Sequence, residues 1–110
     1  MKKEYRIKKA DEFTEIIKNK QFYKTKGIIL YVRKRKEDVP RVGITVKKKL
    51  GNAVVRNKVK RQIRMMVQEI YTFDEEFDSI LLIKEDYLNY DYKNNKNNLE
   101  RLVKQVRIKR

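Results

Sequence analysis

Residues 51–64 read GNAVVRNKVKRQIR and place Asn57, Lys60, Arg61 and Arg64 at i, i+3, i+4 and i+7. On a helix that spacing gathers three cations and one amide on a single face. Arg56 and Lys58 flank it. The chemistry open to such a face is recognition of a polyanion, since arginine offers phosphate a planar fork and lysine a point charge. Asn57 adds a neutral donor and acceptor suited to a sugar hydroxyl or a base edge. No carboxylate lies between Asp38 and Glu69, a window that also holds Arg41, Lys47, Lys48 and Lys49. A merely solvated face interleaves the two signs. Like charges at i,i+4 cost a helix about a few tenths of a kcal/mol per pair. A partner that neutralises the face accounts for the pattern better.

Other chemistries are excluded by what the chain lacks. It has no histidine and no cysteine. That removes the commonest general base, Ser-His and Cys-His dyads, disulfides and thiolate metal sites. No phosphate loop, zinc-protease or nucleophile-elbow pattern occurs. Asp74, Glu75 and Glu76 cluster, which is compatible with Mg²⁺, but a solvated loop is the plainer reading. The net charge of +15, from 30 basic and 15 acidic residues, points to nucleic acid or an anionic surface. No window approaches the roughly 18 to 20 apolar residues of a membrane span. The start, MKKEYRIKKADEF, lacks the apolar core of a secretory signal. The expectation is a soluble cytoplasmic protein with no catalytic residue and no metal site of its own.

The elements that must carry the basic face follow from periodicity. At 110 residues, one domain over residues 1–110 is expected. Phe13, Ile16 and Ile17 predict a helix over 11–19. Residues 27–35 and 41–48 alternate as strands and suggest an antiparallel hairpin across the KEDVP turn. A further short strand is expected around 22–24. The longest periodic run predicts a helix over 53–71, with Asn52 as its cap and Val55, Val59, Ile63, Met66, Val67 and Ile70 turned inward. The apolar run FDSILLIK, 77–84, reads as an interior strand. A closing helix over 91–107 carries Leu99, Leu102, Val103 and Val106, with Asp91 as cap and KNNKNN as its solvated start. The order α-β-β-β-α-β-α implies an α/β sandwich with helices packed on a small sheet.

The stretch RVGITVKKKLGNAVVRNKVKRQIR resembles the signature region of bacterial ribonuclease P protein subunits. RIKKADEF, the LYV strand and the apolar strand before the last helix extend the resemblance through most of the chain. A GNAVxRN stretch after an alternating strand is far more specific than a bare run of basic residues. The resemblance implies a four-stranded sheet with three helices and a left-handed βαβ crossover, against the usual rule. It implies a catalytic RNA and precursor tRNA as partners, and it does not imply a protein partner. It also implies a holoenzyme that removes the 5′ leader by hydrolysis using Mg²⁺ held mainly by the RNA. The RNA-binding helix maps onto Asn52, Arg56, Asn57, Lys58, Lys60, Arg61 and Arg64. Lys58 replaces the usual arginine, keeping the charge without the bidentate fork. The leader cleft maps onto Phe13, Ile17, Tyr31, Lys47 and Lys48. Ile17 stands where relatives commonly carry an aromatic.

Without the resemblance, the residues reach only an RNA- or DNA-binding α/β module. A ribosomal or other structural RNA-binding protein is then the alternative, and stimulation of precursor tRNA cleavage separates the two. A protein-only nuclease would need a metal site made of carboxylates alone, and metal-dependent hydrolysis free of RNA would reveal it.

Overall fold

The computed structural model describes residues 2–107. The expected domain over 1–110 therefore extends past the described residues at both ends. The elements are α1 (Ala10–Lys18), β1 (Phe22–Thr25), β2 (Ile28–Lys34), β3 (Val42–Val46), α2 (Ala53–Ile70), β4 (Phe77–Ile83) and α3 (Tyr92–Gln105). Short 3-10 turns cover Lys3–Tyr5, Lys48–Leu50 and Glu85–Asn89. The order matches the expected α-β-β-β-α-β-α.

The strands lie in the order β1-β2-β4-β3. β1 and β2 form the antiparallel hairpin, closed by Gly27 at φ 79°. A side chain at Gly27 would also collide with the backbone of Tyr87. The hairpin expected between 27–35 and 41–48 does not form. β4 lies between β2 and β3, antiparallel to the first and parallel to the second. The physical reason is burial. Six of β4's seven residues are buried, Leu82 being the half-buried exception, so the strand needs a neighbour on each edge and cover on each face. α2 supplies the crossover that a parallel pair requires.

Side-chain alternation sorts the sheet into two faces. Ile28, Leu30, Val32, Val42, Val46, Phe77, Leu81 and Ile83 join Val59, Ile63, Met66 and Val67 of α2 and Leu99 and Leu102 of α3 in the main core. The other face presents Ile29, Tyr31, Arg33, Asp78, Ile80, Leu82, Gly43 and Thr45. α1 covers part of it, where Ile16 packs with Ile7 and Ile80 and with half-buried Phe13 and Tyr31. Gly43 makes room for Phe13, because a Cβ there would lie 2.7 Å from the phenyl Cζ.

Two details depart from the sequence reading. Ile17 is 39% exposed and lies outside the α1 core. At i+1 from Ile16 it is turned about 100° off the packed side. Asn95, within the expected solvated start of α3, is buried, and its amide donates to the carbonyls of Tyr87 and Tyr90 at 3.0 and 3.2 Å. It fastens the Glu85–Asn89 turn to α3. Asp91 caps α3 as expected, accepting from the Asn94 N–H at 2.8 Å.

Candidate nucleic-acid interface

The basic face assembles on α2. Asn52 caps the helix, its side-chain oxygen accepting from the Val55 N–H at 3.0 Å. Val59, Ile63, Met66 and Val67 are buried beneath. Outward, Asn57, Lys60, Arg61 and Arg64 line one shallow groove of about 470 Å³ together with exposed Val54. Among the described residues none of these three cations meets a carboxylate. Arg56 is half-buried, and its Nε is shielded from solvent without a hydrogen-bond partner. Lys58 stands apart from the groove. It borders a different cavity, of about 260 Å³, with Val55, Val59, Gln62, Tyr87 and Tyr92. Tyr87 donates its hydroxyl to the Gln62 side chain at 2.8 Å on that side.

The expected cleft residues come together only in part. Strand register places Lys24, Ile29, Leu82 and Thr45 in one row across the sheet. The next row holds Phe22, Tyr31, Ile80 and Gly43. Phe13 caps the Gly43 end of that second row, so its ring is a packing group. Ile17 remains exposed on α1, and Tyr31 is half-buried. Lys47 and Lys48 are exposed directly after β3. The sequence reading missed Phe22, which is 49% exposed with its ring centroid 5.8 Å from that of Tyr31. Only the register of β1 against β2 reveals the pair.

A charged network also went unforeseen. Asp78 of β4 is fully buried on the α1 side of the sheet. It accepts from the Arg33 guanidinium at 3.2 Å and from the Arg41 N–H at 3.0 Å. Arg33 reaches on to Glu15 at 2.6 Å, and Arg41 to Glu12 at 2.5 Å. The hydrogen bonds from Lys36 and then Arg33 hold the Glu15 carboxyl below its ordinary value. Two arginines thus pin α1 to the strands.

Comparison with known proteins decides the family. The family model for ribonuclease P matches residues 1–107. The chain belongs to the family of bacterial ribonuclease P protein components. The Mesoplasma florum ribonuclease P protein component is 40% identical over 105 residues, covering 94% of this chain and 96% of that one. The Streptococcus gordonii ribonuclease P protein component is 36% identical, covering 98% and 91%. Among solved structures, the Staphylococcus aureus RNase P protein superposes with a TM-score of 0.82 at 35% identity, covering 91% of this chain and 93% of that one. The Thermotoga maritima RNase P protein gives 0.82 at 26% identity, covering 94% and 98%. The four-stranded mixed sheet with three helices is the ribonuclease P protein fold. Family membership also removes the ribosomal-protein alternative.

Several carboxylates that could serve a cation are engaged within the protein. Glu12, Glu15 and Asp78 are engaged by Arg33, Arg41 and Lys36. The Glu75 carboxylate accepts from the N–H groups of Thr72 and Phe73 and from the Thr72 hydroxyl, at 2.8 to 3.0 Å. It holds the turn in which Phe73 takes φ 64°. Among the described residues no three potential ligands converge, and no helix is long and apolar enough to cross a membrane.

Proposed function

We propose that the chain is a single RNA-binding domain that serves ribonuclease P with two surfaces. The α2 face holds the catalytic RNA, and the sheet cleft holds the unpaired 5′ leader of precursor tRNA. The observation that carries this is how the cations divide. Arg33, Lys36 and Arg41 are consumed by Glu12, Glu15 and Asp78, whereas Lys60, Arg61 and Arg64 have no carboxylate partner among the described residues. Free cations on a rigid helix are the requirement for neutralising phosphates.

In this reading Lys60, Arg61 and Arg64 meet RNA phosphates, with Asn57 beside them for a sugar or base contact. Asn52 sets the helix start, while Arg56 and Lys58 approach the RNA from either flank. Tyr31 gives the leader a stacking surface, Phe13 and Ile17 wall the cleft, and Lys47 and Lys48 neutralise leader phosphates. The Mg²⁺ used in leader hydrolysis belongs to the RNA, so the chain contributes binding and positioning, and its place of work is the cytoplasm. Tyr31→Ala tests the cleft. Loss of one stacked base predicts binding of precursor tRNA to the holoenzyme weaker by about 1 to 3 kcal/mol, with mature tRNA unaffected. Equal weakening of both would remove Tyr31 from the leader path.

A further inference from the structure

A second basic concavity lies at the outer edge of the sheet, remote in sequence from α2. It measures about 650 Å³, and its lining includes Lys20, Gln21, Tyr23, Arg33, Lys34 and Arg107. Its walls are fastened across the chain. The Gln21 amide donates to the Arg107 carbonyl at 2.7 Å, and the Arg107 N–H donates to the Tyr23 hydroxyl at 3.1 Å. These bonds tie the segment after α3 to the edge strand. Arg33 is committed to Glu15 and Asp78. Lys20, Lys34 and Arg107 have no carboxylate partner among the described residues.

Phe22 lies in β1 between Gln21 and Tyr23 in sequence and faces the other side of the sheet from Tyr23, so the β1 edge separates it from the concavity. It is half exposed and pairs in register with Tyr31. An edge-strand phenylalanine open to solvent offers a stacking platform on the α1 face, from the same strand whose Tyr23 lines the basic concavity. That combination suits an unpaired base and its phosphate. A dry protein partner would place its apolar contact away from so much unneutralised charge.

We propose that single-stranded RNA leaving the cleft continues over the β1 edge, with Phe22 stacking a base and Lys20, Lys34 and Arg107 taking a phosphate. The proposal rests on the cleft holding the leader. It adds a site for leader nucleotides farther from the cleavage point than the one at Tyr31. Leader length then becomes the variable that separates the two sites.

The test is binding of precursor tRNAs with a graded series of leader lengths to holoenzyme reconstituted with the cognate RNA. Phe22→Ala, Phe22→Tyr, Lys20→Ala/Lys34→Ala and Tyr31→Ala are compared. Phe22→Ala is expected to lose about 5- to 150-fold on long leaders and nothing on the shortest, with Phe22→Tyr retaining wild-type binding. The double lysine variant should lower the salt slope on long leaders by about 0.7 for each phosphate no longer neutralised. Tyr31→Ala should weaken short and long leaders alike. Wild-type binding of long leaders by both the Phe22→Ala and the double lysine variants would overturn the edge site while leaving the cleft intact. So would an equal loss of affinity for the catalytic RNA alone, which would assign these cations to that RNA. Undiminished binding by Tyr31→Ala would overturn the cleft reading and the extension with it.

Discussion

Asp78 ties together three segments that are distant in sequence. Its carboxylate is fully buried between Arg33 and Arg41, each of which also holds a glutamate of α1. Removing one partner of a buried charge pair leaves the other uncompensated. Asp78→Ala is expected to cost about 3 kcal/mol, the low end of that class, because Glu12 and Glu15 remain. Urea denaturation measures it, and a loss below about 1 kcal/mol would show that the network is not structural. Glu15 makes the same network sensitive to acid. Its folded carboxyl is held below the ordinary 4.5. Its contribution is therefore present above that value and disappears as pH falls through the lowered one. The stability gap between wild type and Glu15→Gln should be open near neutral pH and close as pH falls below 4.5. A gap that does not change with pH would contradict the pairing.

At the scale of elements, α2 is a cap, an apolar underside and a charged outer face, and each part is separable. Asn52→Ala removes the bond to the Val55 N–H. It should cost about 1 kcal/mol in thermal or chemical unfolding while leaving the outer cations in place. Most of this helix was legible in the sequence, because a period of 3.6 records which residues face the core. Strand partners were not. Alternation reports which face a residue takes and says nothing about which strand lies alongside. Nearness in sequence therefore suggested pairing 27–35 with 41–48, and the greater burial demand of Phe77–Ile83 overrode it. The candidate site divides the same way. Asn57, Lys60, Arg61 and Arg64 follow from one helix, and they line one groove. Phe22 beside Tyr31, and Asp78 between two arginines, are products of register across strands and left no local signal.

For the whole molecule the governing quantity is charge. A net +15 on 110 residues opposes its own compaction. The described fold is nonetheless compact, with a Cα radius of gyration of 13.1 Å. Anions that settle on the free cations should therefore stabilise the native state by mass action. Sulfate is expected to raise the melting temperature more than chloride at equal ionic strength, and identical melting in both would argue against localised anion sites. The same charge makes RNA binding salt-sensitive. Six to ten phosphate contacts correspond to a loss of roughly 10³ to 10⁵ in affinity between 50 and 200 mM salt. All of these expectations depend on the protein acting as the RNA-binding partner of a catalytic RNA. The most direct measurement is precursor tRNA cleavage by the cognate RNA at low Mg²⁺, with and without this protein. The two-surface account predicts marked stimulation by the protein and no cleavage by the protein alone. Absence of stimulation, or hydrolysis by the protein freed of RNA, would contradict it.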